Sequence, residues 1–180
     1  MKIEAHKIAG VEQVDCPNMD SRPDDDVSLI VVHCISLPMG HFGGRFVERL
    51  FCNKLEVAEH KDLNELDDLR VSSHLLIRRD GSVIQFVPFN KRAWHAGESV
   101  FANRPACNDF SVGIELEGTD SSDFQDIQYR MLAEVCQSLI SRYHVPRDNI
   151  VGHSDIAPGR KTDPGPYFDW QKFRKMLITV

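Results

Sequence analysis

The sequence predicts an α/β domain in which a central mixed β-sheet is flanked by helices. Three segments carry this prediction: a β-branched run at residues 27–32, a hairpin pattern at residues 73–88 and a long amphipathic pattern at residues 122–143. Strands interspersed with helices are typical of a sheet covered by helices. A chain of 180 residues can bury a core without disulfide bonds. We therefore expect a single domain over residues 1–180, with its core at about residues 27–178.

The first predicted strand covers residues 27–32, where Val, Leu and Ile follow one another almost without interruption. A continuous apolar run of this kind indicates a strand that is buried on both faces. The run stops at His33, and a glycine-rich segment follows at residues 39–44. A polar side chain between a buried strand and a flexible loop is a common position for a ligand or a catalytic group.

A β-hairpin is predicted next, because two apolar runs at residues 75–77 and 83–87 flank an Asp-Gly pair. Asp-Gly is a strong signal for a tight hairpin turn. Another strand is predicted at residues 111–117, where apolar residues alternate with small or acidic ones. In a strand this alternation places Glu115 and Glu117 on one face.

The last third of the chain predicts two helices with a short strand between them. A capping-box pattern at residues 122–125 precedes apolar residues at helical spacing, and this helix runs to about Tyr143, before Pro146. A short strand is predicted at residues 149–151. A C-terminal helix is predicted at residues 169–177, with Asp169 as its N-cap.

Composition and charge exclude several classes of function. The net charge of -6 provides no overall basic field that would recruit nucleic acid or an anionic membrane. The N-terminus lacks the apolar core of a secretory signal, and no segment approaches the roughly 18 apolar residues of a membrane span. We therefore expect a cytoplasmic monomer that binds neither nucleic acid nor membrane. Five cysteines without a CxxC pair predict free thiols.

Two histidines and an aspartate form a candidate metal site. His33 and His153 both follow predicted strands, and Asp163 lies in the proline- and glycine-containing loop that begins beside His153. Two imidazoles and a carboxylate would form the open three-ligand site that catalytic zinc prefers. The spacing matches no short helical metal motif, and the chain contains eight histidines. From these residues alone, surface or capping histidines remain an alternative.

A resemblance to a known family adds to this interpretation. The segments that carry it, in order, are VH at 32–33, ISLP at 35–38, FGG at 42–44, SHLLIRRDG at 73–81, AWHAG at 93–97, CNDFSVGIELEG at 107–118 and GHSDIAPGRKTDPG at 152–165. Together they resemble the AmpD group of 1,6-anhydro-N-acetylmuramoyl-L-alanine amidases, within the zinc amidase and peptidoglycan-recognition superfamily. The resemblance extends from about Val27 to the C-terminal helix.

The resemblance implies a cytoplasmic enzyme of cell-wall recycling whose substrate is a small anhydro-muropeptide. Such an enzyme cuts the amide between the lactyl group of anhydro-muramic acid and L-alanine. Matched to the family, His33, His153 and Asp163 fall on the ligands of a Zn²⁺ cofactor. Glu115 falls on the position of the general base, and Lys161 on the position that stabilises the oxyanion. Glu117 shares the predicted face of Glu115 and is the alternative base.

Four further residues are candidate substrate contacts. Trp94 and His95 lie in a loop that ends in glycine, where an aromatic ring could stack on a sugar or peptide face; core packing is the alternative for Trp94. Arg70 could pair with a substrate carboxylate, because guanidinium binds carboxylates in a bidentate manner. Cys34 stands beside His33, where relatives commonly carry a small polar residue, and its alternatives are metal tuning, competition for metal and packing.

Two other functions remain as alternatives. An amidase for intact peptidoglycan would use the same chemistry, and a muropeptide-binding module would bind without cutting. A binding module would be expected to lack a zinc ligand or the base, and all five positions are present here. Residues 35–70 contain glycines and no strong periodicity, and we expect this segment to act as a mobile lid over the site.

Overall fold

A six-stranded β-sheet lies at the centre of the structure, a computed structural model that describes residues 1–179. Val180, the last residue of the predicted domain, lies outside the described residues. The strands are β1 (Ile3–Glu4), β2 (Lys7–Ile8), β3 (Glu12–Gln13), β4 (Met19–Ser21), β5 (Leu29–Ile35), β6 (Leu75–Ile77), β7 (Val83–Gln85), β8 (Lys91–Ala93), β9 (Val100–Phe101), β10 (Arg104–Pro105), β11 (Ser111–Glu117) and β12 (Ile150–Gly152).

The central sheet has the strand order β12-β5-β11-β6-β7-β3. Strands β6 and β7 pair antiparallel, whereas the other neighbours pair parallel. The helices are α1 (Phe46–Phe51), α2 (Asp126–Tyr143), α3 (His153–Ile156) and α4 (Trp170–Thr179), and short 3₁₀ turns cover Val57–Glu59, Lys61–Leu66, Cys107–Asp109 and Arg147–Asn149. The predicted mixed sheet with flanking helices is confirmed.

The two faces of the sheet have different roles because side chains alternate along each strand. On β5, Ile30 and Val32 join the apolar cluster that contains the buried residues of α2 and α4. On β11, Ile114 and Leu116 join the same cluster. The opposite face of these two strands therefore carries His33 on β5 and the residues of β11 with odd numbers, including Glu115.

Two strand predictions need correction at their ends. The strand predicted at residues 27–32 is β5, which begins two residues later, at Leu29, and continues through His33 to Ile35, because its parallel pairing with β11 runs from the Leu29–Ser111 pair to the Ile35–Glu117 pair. The strand predicted at residues 149–151 is β12, one residue later. The predicted hairpin is confirmed, with Leu75 paired to Gln85 and Ile77 to Val83. The predicted strand at residues 111–117 is β11.

The helix predictions hold in type and differ at their boundaries. Ser122 does not begin the long helix, because Gln125 still has extended dihedral angles and forms the capping box with Gln128. Asp169 does cap α4, since its carboxylate accepts from the Lys172 backbone N–H at 2.9 Å. His153, predicted to begin a loop, instead begins the single turn α3.

The segment from residue 35 to 70 contains α1 and two 3₁₀ turns, and Leu50 and Phe51 on α1 are buried. A lid role for this segment stays a prediction. All five cysteines are free thiols, as predicted. None of the helices in residues 1–179 combines the length and the apolar character that crossing a membrane requires.

Candidate metal centre and active site

Strands β5 and β11 bring His33 and Glu115 side by side at the centre of the sheet. The two residues are direct partners in the parallel register, and neighbouring strands lie about 4.8 Å apart. Direct partners point to the same face, so the imidazole and the carboxylate share one environment. Both are buried, with His33 2% and Glu115 8% exposed.

His153 and Asp163 complete a three-residue cluster with His33. The Nδ1 atoms of His33 and His153 are 3.0 Å apart, and Asp163 Oδ2 lies 3.0 Å from the first and 3.1 Å from the second. A tetrahedral zinc ion with bonds of about 2.0–2.1 Å separates its ligand atoms by about 3.3 Å. The three atoms therefore approximate one face of a zinc coordination tetrahedron.

Hydrogen bonding on the far side of His153 shows which lone pairs face the centre of this cluster. His153 Nε2 lies 3.1 Å from the Ala96 carbonyl oxygen, which can only accept, so Nε2 carries the proton in the neutral ring. Its Nδ1 therefore presents a lone pair towards the Asp163 carboxylate and His33 Nδ1. Acceptor atoms that converge in this way fit a cation, and two imidazoles with a carboxylate suit zinc.

The far nitrogen of His33 also has a defined partner. His33 Nε2 lies 2.9 Å from His95 Nδ1, and His95 Nε2 lies 3.0 Å from the Ser111 hydroxyl. Burial lowers the pKa of His33 from 6.5 to about 4, although its contact with Asp163 acts in the opposite direction. Burial and the neighbouring imidazoles hold the pKa of His95 well below 6.5. Both rings are therefore neutral at pH 7, the form in which imidazole binds metal.

The two carboxyl groups at the site, Asp163 and Glu115, differ in their pKa. Burial opposes ionisation of Asp163, yet its contacts with His153 and His33 hold its pKa below the usual carboxyl range. Burial and the charge of Asp163 raise the pKa of Glu115 well above 4.5, although Lys161 acts in the opposite direction. Glu115 Oε2 is buried and has no hydrogen-bond partner among the described residues. A carboxyl group in this state is a candidate proton carrier.

Comparison with known proteins identifies the family. Residues 23–166 match the family model of N-acetylmuramoyl-L-alanine amidases. The chain belongs to the N-acetylmuramoyl-L-alanine amidase family. This amidase is 52% identical over 180 residues to the 1,6-anhydro-N-acetylmuramyl-L-alanine amidase AmpD of Enterobacter cloacae, with 99% of this chain and 96% of the relative covered.

Solved structures agree with this assignment. The fold of the amidase matches the crystal structure of a selenomethionine derivative of AmpD with a TM-score of 0.96 and 50% identity, covering 98% of this chain and 99% of that one. It also matches the E. coli amidase AmiD in complex with its substrate anhydro-N-acetylmuramic acid-L-Ala-D-gamma-Glu-L-Lys, with a TM-score of 0.61 and 31% identity. That match covers 83% of this chain and 57% of the AmiD chain.

The cluster of this amidase opens into a cavity of about 350 Å³. Glu115 and the exposed Lys161 line this cavity together with His33, His153 and Asp163. The lining also includes the following apolar side chains: Leu37, Met39, Leu50, Phe51, Leu66, Leu69 and Val71. The five residues expected to carry the chemistry therefore lie in one cavity.

The candidate substrate contacts are placed less uniformly. Trp94, His95 and Cys34 line the cavity, but both ring nitrogens of His95 already have protein partners. Burial raises the pKa of the Cys34 thiol, so the thiol stays protonated at neutral pH. Arg70 is not among the described residues that line the cavity, and its guanidinium donates to the backbone carbonyls of Asp67 and Leu69.

Glu117, the alternative base, has a different role. Its carboxylate accepts from the Arg78 guanidinium at 3.2 Å and from the backbone N–H groups of Gly43 and Arg79 at 2.6 and 3.1 Å. With these contacts it holds the glycine-rich segment after β5 against the sheet. Glu117 is not among the described residues that line the cavity.

The sequence did not indicate a role for two residues near the cluster. Asn108 and Arg160 do not touch the cluster atoms, but each binds the loop that contacts both imidazoles. The signal that could have found them is the AWHAG segment at residues 93–97, whose loop needs partners for its backbone groups. Strand alternation also places Ser111, Gly113 and Glu115 on the face of His33.

Proposed function

We propose that this amidase hydrolyses the amide between the lactyl group of 1,6-anhydro-N-acetylmuramic acid and the L-alanine of the stem peptide, with zinc as its cofactor. The observation that carries the proposal is the convergence of two imidazole nitrogens and a carboxylate oxygen, within 3.1 Å of one another, beside the buried Glu115 carboxyl group. Further support comes from the AmpD relative at 52% identity. We place the reaction in the cytoplasm, as a step of peptidoglycan recycling by a monomer.

His33, His153 and Asp163 would hold the zinc ion. Zinc in such a site polarises the scissile carbonyl and lowers the pKa of water towards about 7. Both imidazoles have a partner on the side away from the metal position: His153 contacts the Ala96 carbonyl and His33 contacts His95. Outer contacts of this kind fix the ring orientation and the tautomer of ligating histidines.

Glu115 would move the proton of the reaction. Hydrolysis forms a bond between the water oxygen and the carbonyl carbon of the lactyl group, and it breaks the bond from that carbon to the alanine nitrogen. The proton that leaves the water must reach that nitrogen. Glu115 is suited to accept and return it, because burial raises its pKa well above 4.5 and leaves Oε2 without a protein partner. Proton transfer by a positioned group typically contributes 10²–10⁴-fold to the rate.

Lys161 would stabilise the negative charge that develops on the carbonyl oxygen. Its ammonium group lines the same cavity as Glu115 and carries a positive charge that opposes the raised pKa of that carboxyl group. Donors placed at a developing oxyanion are typically worth about 3–4 kcal/mol. The apolar side chains that line the cavity would contact the less polar parts of the substrate.

Purified protein incubated with anhydro-muramoyl tripeptide tests the proposal. We expect the zinc-loaded protein to release free peptide, and chelator treatment to abolish the release. Glu115→Gln should keep zinc and lose turnover by about 10²–10⁴-fold, because only proton transfer is removed. Asp163→Ala should lose both zinc and turnover. Peptide release is measured by chromatography, and zinc by metal analysis of the dialysed protein.

Glu117→Gln is the matched control, because it lies on the same strand face and outside the cavity. We expect this variant to keep most of the turnover. No peptide release by the zinc-loaded wild-type protein would refute the proposed reaction. Release from intact peptidoglycan at the same rate would instead favour the amidase for intact peptidoglycan.

A further inference from the structure

We propose that two consecutive residues, His95 and Ala96, form an outer clamp that fixes the tautomer and orientation of both metal-binding imidazoles, with His95 as a positioning residue. The inference rests on the proposed metal function and assigns His95 a role other than substrate contact. Its basis is that one short loop supplies the far-side partner of each imidazole. The two partners are a side chain and a backbone carbonyl.

The first arm of the clamp acts on His33. With Nδ1 of His33 directed at the metal position, Nε2 must carry the proton and donate to His95 Nδ1 at 2.9 Å. The neutral His95 ring then carries its own proton on Nε2 and donates it to the Ser111 hydroxyl at 3.0 Å. The rings of His33 and His95 therefore each have one possible tautomer. Without the His95 acceptor, the His33 N–H would be buried without a partner.

The second arm acts on His153 through the backbone. The Ala96 carbonyl accepts from His153 Nε2 at 3.1 Å and also from the Arg160 guanidinium at 2.6 Å. Arg160 donates as well to the Glu98 carbonyl at 2.5 Å. Arg160, which lies between His153 and Asp163 in the sequence, therefore fixes the loop that orients His153.

Two independent features hold the clamp in place. The Asn108 side-chain oxygen accepts from the backbone N–H groups of His95 and Ala96 at 3.1 and 2.8 Å. Gly113 on β11 leaves the space that the His95 ring occupies, because a Cβ there would lie 2.5 Å from the ring Cγ. Residue 113 must therefore be glycine for reasons of space, because any larger residue would displace the His95 ring.

The chemistry of His95 distinguishes positioning from substrate binding. Both ring nitrogens are engaged by His33 and Ser111, so neither is left to bind a ligand. A substrate contact would need one of these bonds to break. The clamp therefore predicts an effect on metal affinity, even in the absence of substrate.

Zinc affinity of His95 variants, measured by competition with a chromophoric chelator, tests the clamp. His95→Phe keeps the ring and removes the acceptor, and we expect zinc affinity to fall about 10–100-fold, as for other outer partners of metal ligands. His95→Asn places an amide oxygen near the position of Nδ1, and we expect it to recover most of the affinity. A packing role predicts the opposite order, because asparagine leaves a cavity and phenylalanine does not.

His6→Phe is the control for the loss of a partly buried histidine contact. His6 Nδ1 lies 2.8 Å from the Tyr143 hydroxyl, away from the cavity, and its loss should leave zinc affinity unchanged. Asn108→Ala and Asn108→Asp give a second test in case His95→Phe fails to fold, as judged by circular dichroism. We expect alanine to weaken zinc binding about 10-fold, whereas aspartate keeps the acceptor and the affinity.

The outcomes separate the clamp from the proposed function. Wild-type protein that binds no zinc would refute the metal function itself. If the wild type binds zinc, unchanged affinity in His95→Phe, or equal losses in His95→Phe and His95→Asn, would overturn the clamp. Should His95→Phe not fold, equal affinity in the two Asn108 variants would overturn it.

Discussion

Glu115 is the residue at which the proposed function and the stability of the fold oppose each other. Its carboxyl group is 8% exposed, and one oxygen has no partner among the described residues. A buried polar group without a partner costs about 1–3 kcal/mol. Glu117, two residues later on the same face, accepts three hydrogen bonds. The protein therefore keeps one carboxylate satisfied and leaves the other available for chemistry.

Glutamine cannot ionise, whereas burial opposes the charge of Glu115, so we expect Glu115→Gln to stabilise the metal-free protein at pH 8 by about 1–3 kcal/mol. The pKa of Glu115 is raised in the folded state, so the wild-type residue contributes most below its unfolded pKa. This contribution is lost as the pH rises through the folded pKa. The gain from glutamine should therefore shrink as the pH is lowered to 4.5. Urea unfolding of chelator-treated protein at both pH values measures it.

Glu117→Gln serves as the comparison for this prediction, because it removes a charge that is paired with Arg78. It should destabilise the protein at pH 8. A Glu115→Gln variant that is less stable than wild type at pH 8 would contradict the prediction, because the carboxylate would then have a stabilising partner.

At the scale of elements, Arg22 joins the start of β11 to the segment after β7. The buried guanidinium donates to four backbone carbonyl oxygens, at distances of 2.6–3.1 Å, in Phe89, Asn108, Asp109 and Ser111. Burial lowers the pKa of Arg22 from 12.5 to about 10, so it remains charged at neutral pH. Two of these acceptors belong to Asn108 and Ser111, whose side chains support the clamp.

Arg22→Met should therefore destabilise the protein by about 2–4 kcal/mol, because several buried carbonyl groups lose their partner. Arg104→Met is the matched control, since Arg104 is exposed and pairs with Asp26 at the surface, where such pairs contribute about 0–1 kcal/mol. Denaturant unfolding measures both variants. A free energy of unfolding for Arg22→Met equal to that of the control would contradict this role for the buried arginine.

At the scale of the whole molecule, local sequence patterns predicted which strands and helices form. They were less accurate on the residues at which these elements begin and end. The β-branched run and the Asp-Gly pair identified β5 and the β6–β7 hairpin, because these signals lie within a few residues. The end of β5 at Ile35 depends on pairing with β11, which is distant in the chain. The start of α2 at Asp126 depends on Gln125 rather than on the Ser122 pattern.

The candidate site, too, could be predicted from the sequence only in part. The resemblance pointed to His33, His153, Asp163, Glu115 and Lys161, and the structure brings all five to one cavity. It could not indicate that His95 faces His33 or that Asn108 holds the loop. These contacts join side chains 62 residues apart in one case and depend on the packed sheet. The same dependence on the whole fold applies to the three proposed metal ligands.

Zinc binding should therefore stabilise the whole molecule. The three proposed ligands lie on β5, on α3 and in the following loop, and an unfolded chain rarely holds a preformed metal site. A ligand that binds only the folded state at 100 times its dissociation constant adds about 2.7 kcal/mol. For a chain of this size we expect a rise in melting temperature of about 5–10 °C. Calorimetry with zinc and with chelator measures the shift, and Asp163→Ala should melt at the same temperature under both conditions. An equal shift in Asp163→Ala would mean that zinc acts at another site, because that variant removes the carboxylate contacted by both imidazoles.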